Sequence, residues 1–205
     1  MPKVTQQYLD ARREHILSAA RRCFLRDGFH STSMQDLFAE AGLSSGAVYR
    51  YFPSKDDMIV AIAAENMQDV LVMIHTVATQ RPAPSVGAVV ADVLNMVRAK
   101  HDDEGLGGLA VLAWAEALRN PSLAAQFTES LTRMRVDLAD VVRAHQESGD
   151  LPTDTTAEAF ACVLMSIVPG YILQLSLLGP EAVAGAADAV RALWSSPVSA
   201  AQQPS

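Results

Sequence analysis

Residues 31–59, STSMQDLFAEAGLSSGAVYRYFPSKDDMI, constrain the fold more than any other stretch of this 205-residue chain. Four of its apolar residues follow the helical spacing i, i+3, i+4, i+7: Met34, Leu37, Phe38 and Ala41. This stripe predicts a helix of about two turns. Ser33, with Asp36 three residues later, predicts its N-cap, and Gly42 predicts its end. The stretch therefore predicts two short helices around a tight turn, followed by a third.

The segment after the turn, SGAVYRYF at 45–52, is not explained by burial alone. Ser44 is predicted to cap this helix, and only Val48 and Phe52 clearly point to a core. The remaining side of the helix exposes Ser45, Gly46, Ala47, Tyr49 and Arg50. A short helix that offers small, hydroxyl and aromatic groups suits the major groove of DNA, where the protein backbone must approach closely.

This region resembles a known family. The run AGLSSGAVYRYFPSKDDMI, preceded by HILSAARRCFLRDGFHSTSMQDL, is similar to the N-terminal DNA-binding domain of TetR-type (tetracycline-repressor-like) transcriptional regulators. The shared features include an Ile-Leu-x-Ala-Ala first helix with Phe24, a Gly28-Phe29 turn, the Ala-Gly-Leu-Ser turn and the Tyr-x-Tyr-Phe-x-Ser-Lys close. The resemblance covers about the first third of the chain. The other two thirds resemble the family in length, helical character and spacing.

Hydroxyl-capped helix N-termini favour phosphate oxygens, which makes Thr32, Ser33 and Ser44 candidates for positioning on DNA. The resemblance implies that Tyr49 and Lys55 contact phosphates, and that the start of the second short helix reads base edges. Arg50 is left open between a phosphate and a guanine, and Tyr51 between DNA contact and packing. The predicted DNA-binding residues are Thr32, Ser33, Gln35, Ser44, Ser45, Gly46, Ala47, Tyr49, Arg50, Tyr51 and Lys55.

Charge is divided unevenly along the chain. Residues 1–56 carry eight Lys/Arg and six Asp/Glu, whereas residues 57–205 carry eight and 17, for net charges of +2 and −9. A basic end on an acidic protein can present that end to phosphates while the rest repels them. Ordinary surface charge is the alternative explanation, and the helix-turn-helix motif favours the first.

The periodicity of the whole chain predicts an all-α protein of about nine helices. We expect a first helix at about Tyr8–Asp27, a fourth from Ser54 to about Thr79, and the others at roughly 85–100, 106–119, 121–148, 154–178 and 181–195. The predicted domains are a DNA-binding head (1–56; family-type domain about 10–70, motif 33–52), a ligand-binding and dimerisation body (57–196) and a mobile tail (197–205).

Catalytic and metal-binding patterns are not evident in the sequence. The five histidines are dispersed, none is spaced with a carboxylate as a metal-binding helix requires, and Gly105–Gly108 lacks the features of a phosphate loop. We therefore predict no enzyme activity, no metal and no cofactor. Cys23 is expected to pack in a core, with a thiol sensor as the alternative. The N-terminus lacks the apolar core of a signal peptide, and Phe160–Leu178 is interpreted as a buried helix, so a cytoplasmic protein is predicted.

Aromatic and methionine residues recur at helical spacing in the body, and Pro169 is expected to kink a helix among them. These stripes suit either a packed core or an apolar effector pocket. The predicted pocket residues are Met67, Leu71, Ile74, His75, Met96, Leu112, Trp114, Glu116, Phe127, Leu131, Met134, Phe160, Leu164, Ile167, Tyr171 and Gln174. The predicted dimer interface, built from the last two helices, includes Val183, Ala186, Ala187, Val190, Leu193 and Trp194. The alternative is that this stripe covers the core of its own chain.

The expected function is that of a homodimeric transcriptional regulator, a repressor released from pseudo-palindromic operator DNA by a small hydrophobic or amphipathic effector. Two alternatives are a constitutive DNA-binding dimer without an effector, and a small-molecule-binding or catalytic helical protein whose head no longer binds DNA.

Overall fold

The computed structural model describes residues 5–80 and 84–194. Within these residues the chain forms nine α-helices, one 3₁₀ helix and no strands, which confirms the all-α prediction. The helices are α1 Gln6–Asp27, α2 Met34–Ala41, α3 Ser45–Tyr49, α4 Lys55–Ala78, α5 Val86–Glu104, α6 Leu106–Ala117, α7 Pro121–Glu147, α8 Ala157–Leu178 and α9 Ala186–Leu193, with the 3₁₀ helix at Pro180–Val183. The predicted tail at 197–205 lies outside the described residues.

The head consists of α1, α2 and α3 packed around large apolar side chains that are almost fully buried. Phe24 from α1, Leu37 from α2 and Val48 from α3 meet in this core together with Phe52. Gly42 ends α2 in the left-handed conformation (φ 62°), which costs glycine no steric strain and turns the chain towards α3. The head is therefore a small three-helix unit with α2, a tight turn and α3 on one side.

Helix α4 connects the head to the body because it contributes to both cores. Met58, Ile59 and Ile62 in its first half pack against the residues of the head core. Leu71 and Ile74 in its second half belong to the core of the body. A rotation or shift of α4 would therefore change the packing of both cores.

The body contains α5–α9, and its C-terminal end differs from the prediction. A single helix was predicted at 181–195, but the structure has a short 3₁₀ helix, a break and then α9. Gly185 lies in this break with φ 76°, a conformation that interrupts a right-handed helix. Helix α9 packs closely on α5, where a Cβ on Gly87 would lie 2.9 Å from the carbonyl oxygen of Val190.

Helix α8 has one buried side and one exposed side, so its interpretation as a wholly buried helix is corrected. Its apolar exposed residues include Val163, Leu173, Leu177 and Leu178. Helices α4 and α8 are long and apolar enough to cross a membrane by length and composition alone. In the structure both pack against α7, and α8 also packs against α5 and α6. We therefore treat α8 as a body helix with one face left uncovered.

Candidate nucleic-acid interface and internal cavity

Hydrogen bonds at both ends of α2 fix the position of the turn. The backbone N–H of Ser33 donates to Asp36 Oδ2 (2.8 Å), and the backbone N–H of Asp36 donates to Ser33 Oγ (3.3 Å), a complete capping box. At the other end, the backbone N–H of Leu43 donates to the carbonyl of Phe38. Because these bonds involve neighbours in sequence, the motif Ser33-x-x-Asp36 followed by Gly42 was sufficient to predict them.

Helix α3 is held to the head through one side only. Val48 is fully buried and Phe52 nearly so, whereas Ala47 is half-buried. The opposite side carries the exposed residues Ser44, Ser45, Gly46, Tyr49 and Arg50. Ser44 occupies the N-cap position, but its side chain makes no capping hydrogen bond, which corrects the prediction of a side-chain cap. Its hydroxyl is therefore available to a phosphate oxygen.

Tyr49 is positioned by the aromatic ring of Phe38. The two ring centroids lie 5.3 Å apart with the planes at 70°, the edge-to-face arrangement that aromatic pairs prefer. Tyr49 nevertheless keeps 47% of its surface exposed. This combination holds the ring against α2 while about half of the side chain, with a hydroxyl that can donate or accept, remains open to a partner.

Gly46 has no evident structural reason to be glycine. A Cβ built on it would meet no atom within 4 Å, and its φ is not positive. Glycine destabilises a helix interior by roughly 0.5–1 kcal/mol relative to alanine, so its presence in α3 needs another explanation. Close approach of the α3 backbone to a ligand outside the protein is such an explanation.

Two predicted DNA contacts are corrected by the structure. Thr32 is 1% exposed, and its hydroxyl donates to the carbonyl of Gly28 (2.8 Å), so the prediction that this hydroxyl contacts a phosphate is wrong. Lys55 Nζ donates to the carbonyls of Phe29 (2.8 Å), Thr32 (3.1 Å) and His30 (3.2 Å). Its three N–H groups are therefore used inside the protein. Lys55 ties the start of α4 to the α1–α2 loop rather than presenting a free charge.

The other predicted residues divide between exposed and packed positions. Gln35 is exposed, while the exposed Ser33 uses its side chain in the capping box. Tyr51 is half-buried and packs against the head core, and its hydroxyl is enclosed without a hydrogen-bond partner. The Arg50 guanidinium lies over the Tyr51 ring at 5.6 Å from its centroid. Of the two roles considered for Tyr51, the structure therefore favours packing, with the ring supporting Arg50.

An internal cavity of about 130 Å³ lies within the body, between α4, α5, α6, α7 and α8. Its lining is apolar except for the amide of Asn66 and the indole N–H of Trp114. Seven of the predicted pocket residues line it: Met67, Ile74, Trp114, Phe127, Leu131, Met134 and Leu164. The α5 wall of the cavity, which was not predicted, is formed by Val89, Val90, Val93 and Val97. Valines at i, i+3, i+4 spacing are the signal that was available, but the same spacing is equally typical of a packed core.

The other nine predicted pocket residues do not line this cavity: Leu71, His75, Met96, Leu112, Glu116, Phe160, Ile167, Tyr171 and Gln174. The polar residues among these nine were predicted to orient a ligand, but they do not line the cavity. His75 is exposed and lies 3.3 Å from a carboxylate oxygen of Asp137, and Gln174 is exposed on α8. Tyr171 is buried outside the cavity, where burial raises the pKa of its phenol and nearby Arg98 opposes that rise.

Pro169 lies inside α8 and lines the cavity together with Met165. Since proline has no backbone N–H, it cannot donate to the carbonyl of Met165 one helical turn earlier. The helix continues past this position to Leu178. Helix α8 therefore lacks one backbone hydrogen bond at the wall of the cavity, and its backbone is less constrained there.

Most of the predicted dimer residues pack against other residues of the same chain. Val183 and Val190 are buried in the body core, and Ala186, Ala187 and Trp194 pack against it. Only Leu193 is strongly exposed. The stripe of apolar residues on α9 thus mostly covers its own core, which was the alternative explanation for it, and the dimer interface stays a prediction. An exposed stripe with helical spacing runs instead along α8: Val163, Ser166, Gly170, Leu173 and Leu177.

The described residues contain no group of three or more His, Cys, Asp or Glu side chains that could hold a metal ion. Cys23 is buried in the head core, and burial raises the pKa of its thiol; Cys162 is exposed on α8. A raised pKa leaves less thiolate at neutral pH, so the structure favours packing over sensing for Cys23.

Comparison with known proteins gives matches at both ends of the chain. Residues 16–62 match the family model described as bacterial regulatory proteins of the tetR family. Residues 88–196 match the model described as the C-terminal region of BetI-type transcriptional repressors. The second match alone covers more than half of the chain, and the first coincides with α1–α3 and the start of α4.

Full-length relatives agree with these matches. The HTH-type transcriptional regulator UidR of Escherichia coli strain K12 is 27% identical over 181 residues, which cover 88% of this chain and 90% of UidR. The HTH-type transcriptional repressor Rv1474c of Mycobacterium tuberculosis is 29% identical over 182 residues, covering 86% and 88%. The solved structure of Salmonella enterica GusR superposes with a TM-score of 0.73 at 26% identity, over 94% of this chain and 96% of that one.

Proposed function

The chain belongs to the TetR family of transcriptional regulators, and from that premise we propose that it is a dimeric repressor released from its operator by a small apolar effector. The observation that carries the proposal is α3. It is anchored by Val48 alone among its own residues and leaves hydroxyl, glycine and aromatic groups exposed. The groups in this arrangement suit base-edge and phosphate contacts in a major groove.

The contacts are assigned by what each exposed group can do. Ser44 and Tyr49 offer hydroxyls for phosphate oxygens, and Gly46 allows the α3 backbone to come close to the DNA. Ser45 and Ala47 face base edges, where the Ala47 methyl suits a thymine methyl. Lys55 supports this surface indirectly by fixing the α1–α2 loop.

A dimer follows from the small size of one recognition helix. Five residues contact few base pairs, so specific binding requires two heads on a pseudo-palindromic site. The exposed stripe on α8, together with Leu193 on α9, supplies an apolar surface for the second copy. Gly170 lies in the middle of this stripe with open space around it and permits close helix approach. The protein then acts on DNA in the cytoplasm, as a regulator and not as an enzyme.

The effector proposal rests on the cavity. An apolar cavity of about 150 Å³ is large enough to bind benzene, and the 130 Å³ cavity is of comparable size. As it stands the cavity accepts a small aromatic or branched hydrocarbon group, with Asn66 and Trp114 to orient one polar atom. A larger effector has to displace wall side chains, including those of α4. Such a displacement favours a state in which the two heads are spaced differently.

The DNA-binding proposal is tested by selecting duplexes from a random pool and measuring affinity by fluorescence anisotropy. Tyr49→Ala should weaken binding to all sequences, while Ser45→Ala and Ala47→Ser should change preference at defined base pairs by ~1–3 kcal/mol. Sedimentation at micromolar concentration should show a dimer. Selection of no preferred duplex, or wild-type binding by all three variants, would contradict the proposal.

The effector proposal is tested by filling the cavity. Leu164→Trp should abolish thermal stabilisation by small aromatic compounds and release from DNA, while operator affinity is retained. Val136→Trp adds the same ring at an exposed position of α7 and serves as the matched control. If Leu164→Trp responds to the compounds as the control does, the effector does not occupy this cavity.

A further inference from the structure

The seven basic residues of the head that the structure describes fall into two groups according to what their side chains contact. In the first group, five side chains bind carboxylates or backbone carbonyls within the protein. Arg13 and Arg21 both bind Glu65 of α4, at 2.5 and 2.6 Å. Arg22 and Arg26 both bind Glu40 of α2, at 2.6 and 3.1 Å. The fifth, Lys55, donates to three backbone carbonyls. These five cations hold the helices of the head together and leave little positive charge for a partner.

The second group consists of Arg12 and Arg50, which have no carboxylate partner within residues 5–80 and 84–194. Both contact tyrosines instead. Arg12 Nη2 donates to the hydroxyl of Tyr8 (3.0 Å), and its guanidinium lies 5.5 Å from the centre of that ring. Arg50 lies over Tyr51 in the same way. Cation–π contact orients a guanidinium without neutralising it, so both positive charges remain available.

The two arginine–tyrosine pairs come from the start of α1 and the end of α3, which meet here: the guanidinium of Arg13, next to Arg12, lies 5.4 Å from the centre of the Phe52 ring, next to Tyr51. The pKa of Tyr8 lies below its ordinary value, first because Arg12 donates to its hydroxyl, and the charge of Arg50 contributes to the same direction. Tyr8 is 51% exposed, and Arg50 is exposed as well. Two uncompensated guanidiniums therefore lie together beside the exposed side of α3.

We propose that Tyr8, Arg12 and Arg50 form a phosphate clamp that grips the DNA backbone beside the recognition helix, extending the DNA contact from the helix-turn-helix onto α1. This inference rests on the proposed DNA-binding function. A guanidinium presents planar paired N–H groups that match phosphate oxygens, and the stacked tyrosines limit its freedom before binding. Arg50 is thereby assigned to a phosphate and not to a guanine, because its guanidinium is held over Tyr51 as Arg12 is held by Tyr8.

The clamp raises the affinity for DNA of any base sequence, because it contacts phosphates and no bases. Neutralising a phosphate releases condensed counterions, and the logarithm of the binding constant then falls with the logarithm of salt concentration by roughly 0.9 for each phosphate. Removing Arg12 deletes one contact from each head of a dimer. The salt slope of Arg12→Gln should therefore be smaller by roughly 2, with affinity at moderate salt lower by about ten-fold on every duplex.

The experiment compares the full-length parent, Arg12→Gln, Arg50→Gln and Tyr8→Phe on the selected operator and on a scrambled duplex, over a series of salt concentrations. Arg133→Gln is the matched control, since it removes one exposed arginine from α7, far along the chain from the head. Circular dichroism melting confirms that each variant is folded. Arg12→Lys keeps the charge and should recover most of the affinity. Tyr8→Phe removes only the hydroxyl that Arg12 contacts and should give a smaller loss in the same direction.

The outcomes separate this inference from the function on which it rests. A smaller salt slope for Arg12→Gln and Arg50→Gln, with the ratio of operator to scrambled affinity unchanged, supports the clamp. If the parent binds its operator and Arg12→Gln shows the slope of Arg133→Gln, the clamp is wrong while the DNA-binding function stands. A changed base preference in Arg50→Gln overturns the assignment of Arg50. A parent that binds no duplex overturns both proposals.

Discussion

The head and the body both bury large apolar side chains, but they fill their interiors differently. In the head, Phe24, Leu37 and Val48 pack around a common core, and four salt bridges from Arg13, Arg21, Arg22 and Arg26 hold α1 against α2 and α4. The cavity of the body is lined by residues of α4–α8 alone. A closely packed head keeps α3 in a fixed orientation, whereas the body keeps space that a ligand can fill.

This difference suits the two tasks of a ligand-responsive regulator. Recognition of DNA requires a preformed surface, because every side chain that has to be ordered on binding lowers the affinity. A response to a ligand requires two arrangements of similar free energy, and empty apolar space lowers the cost of moving between them. Helices α4, α6 and α7 contribute to both cores, so these are the elements through which one region can bias the other.

The largest expected effect compares a phenylalanine inside the head core with one that lies between this core and the cavity. Phe24→Ala should lower the free energy of unfolding by ~3–5 kcal/mol, because Phe24 is almost fully buried in the head core. Phe127→Ala should cost clearly less, since this half-buried ring already borders the cavity and has fewer neighbours to lose. Urea unfolding measures both. Equal losses would show that the wall of the cavity is packed as closely as the head core.

The second prediction tests whether the body is loose throughout or only around the cavity. Gly107 in α6 has no room for a side chain, because an added Cβ would lie 2.4 Å from Ser176 Oγ and 2.8 Å from His101 Nδ1. Gly107→Ala should therefore destabilise the protein by ~1–3 kcal/mol.

Gly108→Ala, one residue later, is the matched control. Its Cβ would meet only the flexible end of Leu25, at 3.0 Å, and its melting temperature should stay close to that of the parent. A Gly107→Ala variant that is as stable as Gly108→Ala would mean that α6 and α8 can separate without cost next to the cavity.

The third prediction concerns Gly46, where stability and DNA binding should change in opposite directions. An alanine fits without contacts and favours the helix, so Gly46→Ala should raise the free energy of unfolding by roughly 0.5–1 kcal/mol. Operator affinity should nevertheless fall, because the new methyl group prevents close approach to the DNA. Thermal melting and fluorescence anisotropy measure the two quantities. Unchanged affinity would show that the α3 backbone does not approach the DNA at this residue.

The smallest expected effect is the pH dependence of the salt bridges in the head. Arg22 and Arg26 donate to the carboxylate of Glu40 and hold its pKa below the ordinary value for glutamate. A lowered pKa in the folded state means that this stabilisation is complete above the ordinary glutamate pKa and is lost as the pH falls through the lowered one. Glu40→Gln should therefore show a weaker loss of stability on acidification than the parent.

Glu129→Gln is the control for this comparison, since it removes an exposed carboxylate that pairs with Arg133 in the body. Melting temperatures from neutral pH down to the acidic range should follow the parent for this variant. If Glu40→Gln and Glu129→Gln have the same acid dependence, the Glu40 salt bridges contribute nothing specific to the head.

Features that depend on near neighbours in the chain could be predicted from the sequence. The capping box at Ser33 and Asp36, the left-handed turn at Gly42 and the end of α7 near Gly149 involve residues within a few positions of one another. Surroundings that come from a distant part of the chain could not be predicted in this way. Lys55 was predicted to contact a phosphate, and the three carbonyls that hold its ammonium group lie 23 to 26 residues earlier, in the α1–α2 loop.

The same limit applies to the apolar stripes. The sequence alone determined that the chain is all-helical, that residues 33–52 form a helix-turn-helix and that the body is apolar, because periodicity and capping are local properties. Only the tertiary structure decided that α9 covers its own core and that α8 leaves a stripe uncovered. It also decided that Arg12 contacts Tyr8, with no carboxylate partner among the described residues, while Arg13 binds Glu65. An apolar stripe or a charge specifies that a partner is needed, but which group becomes that partner depends on how the helices pack.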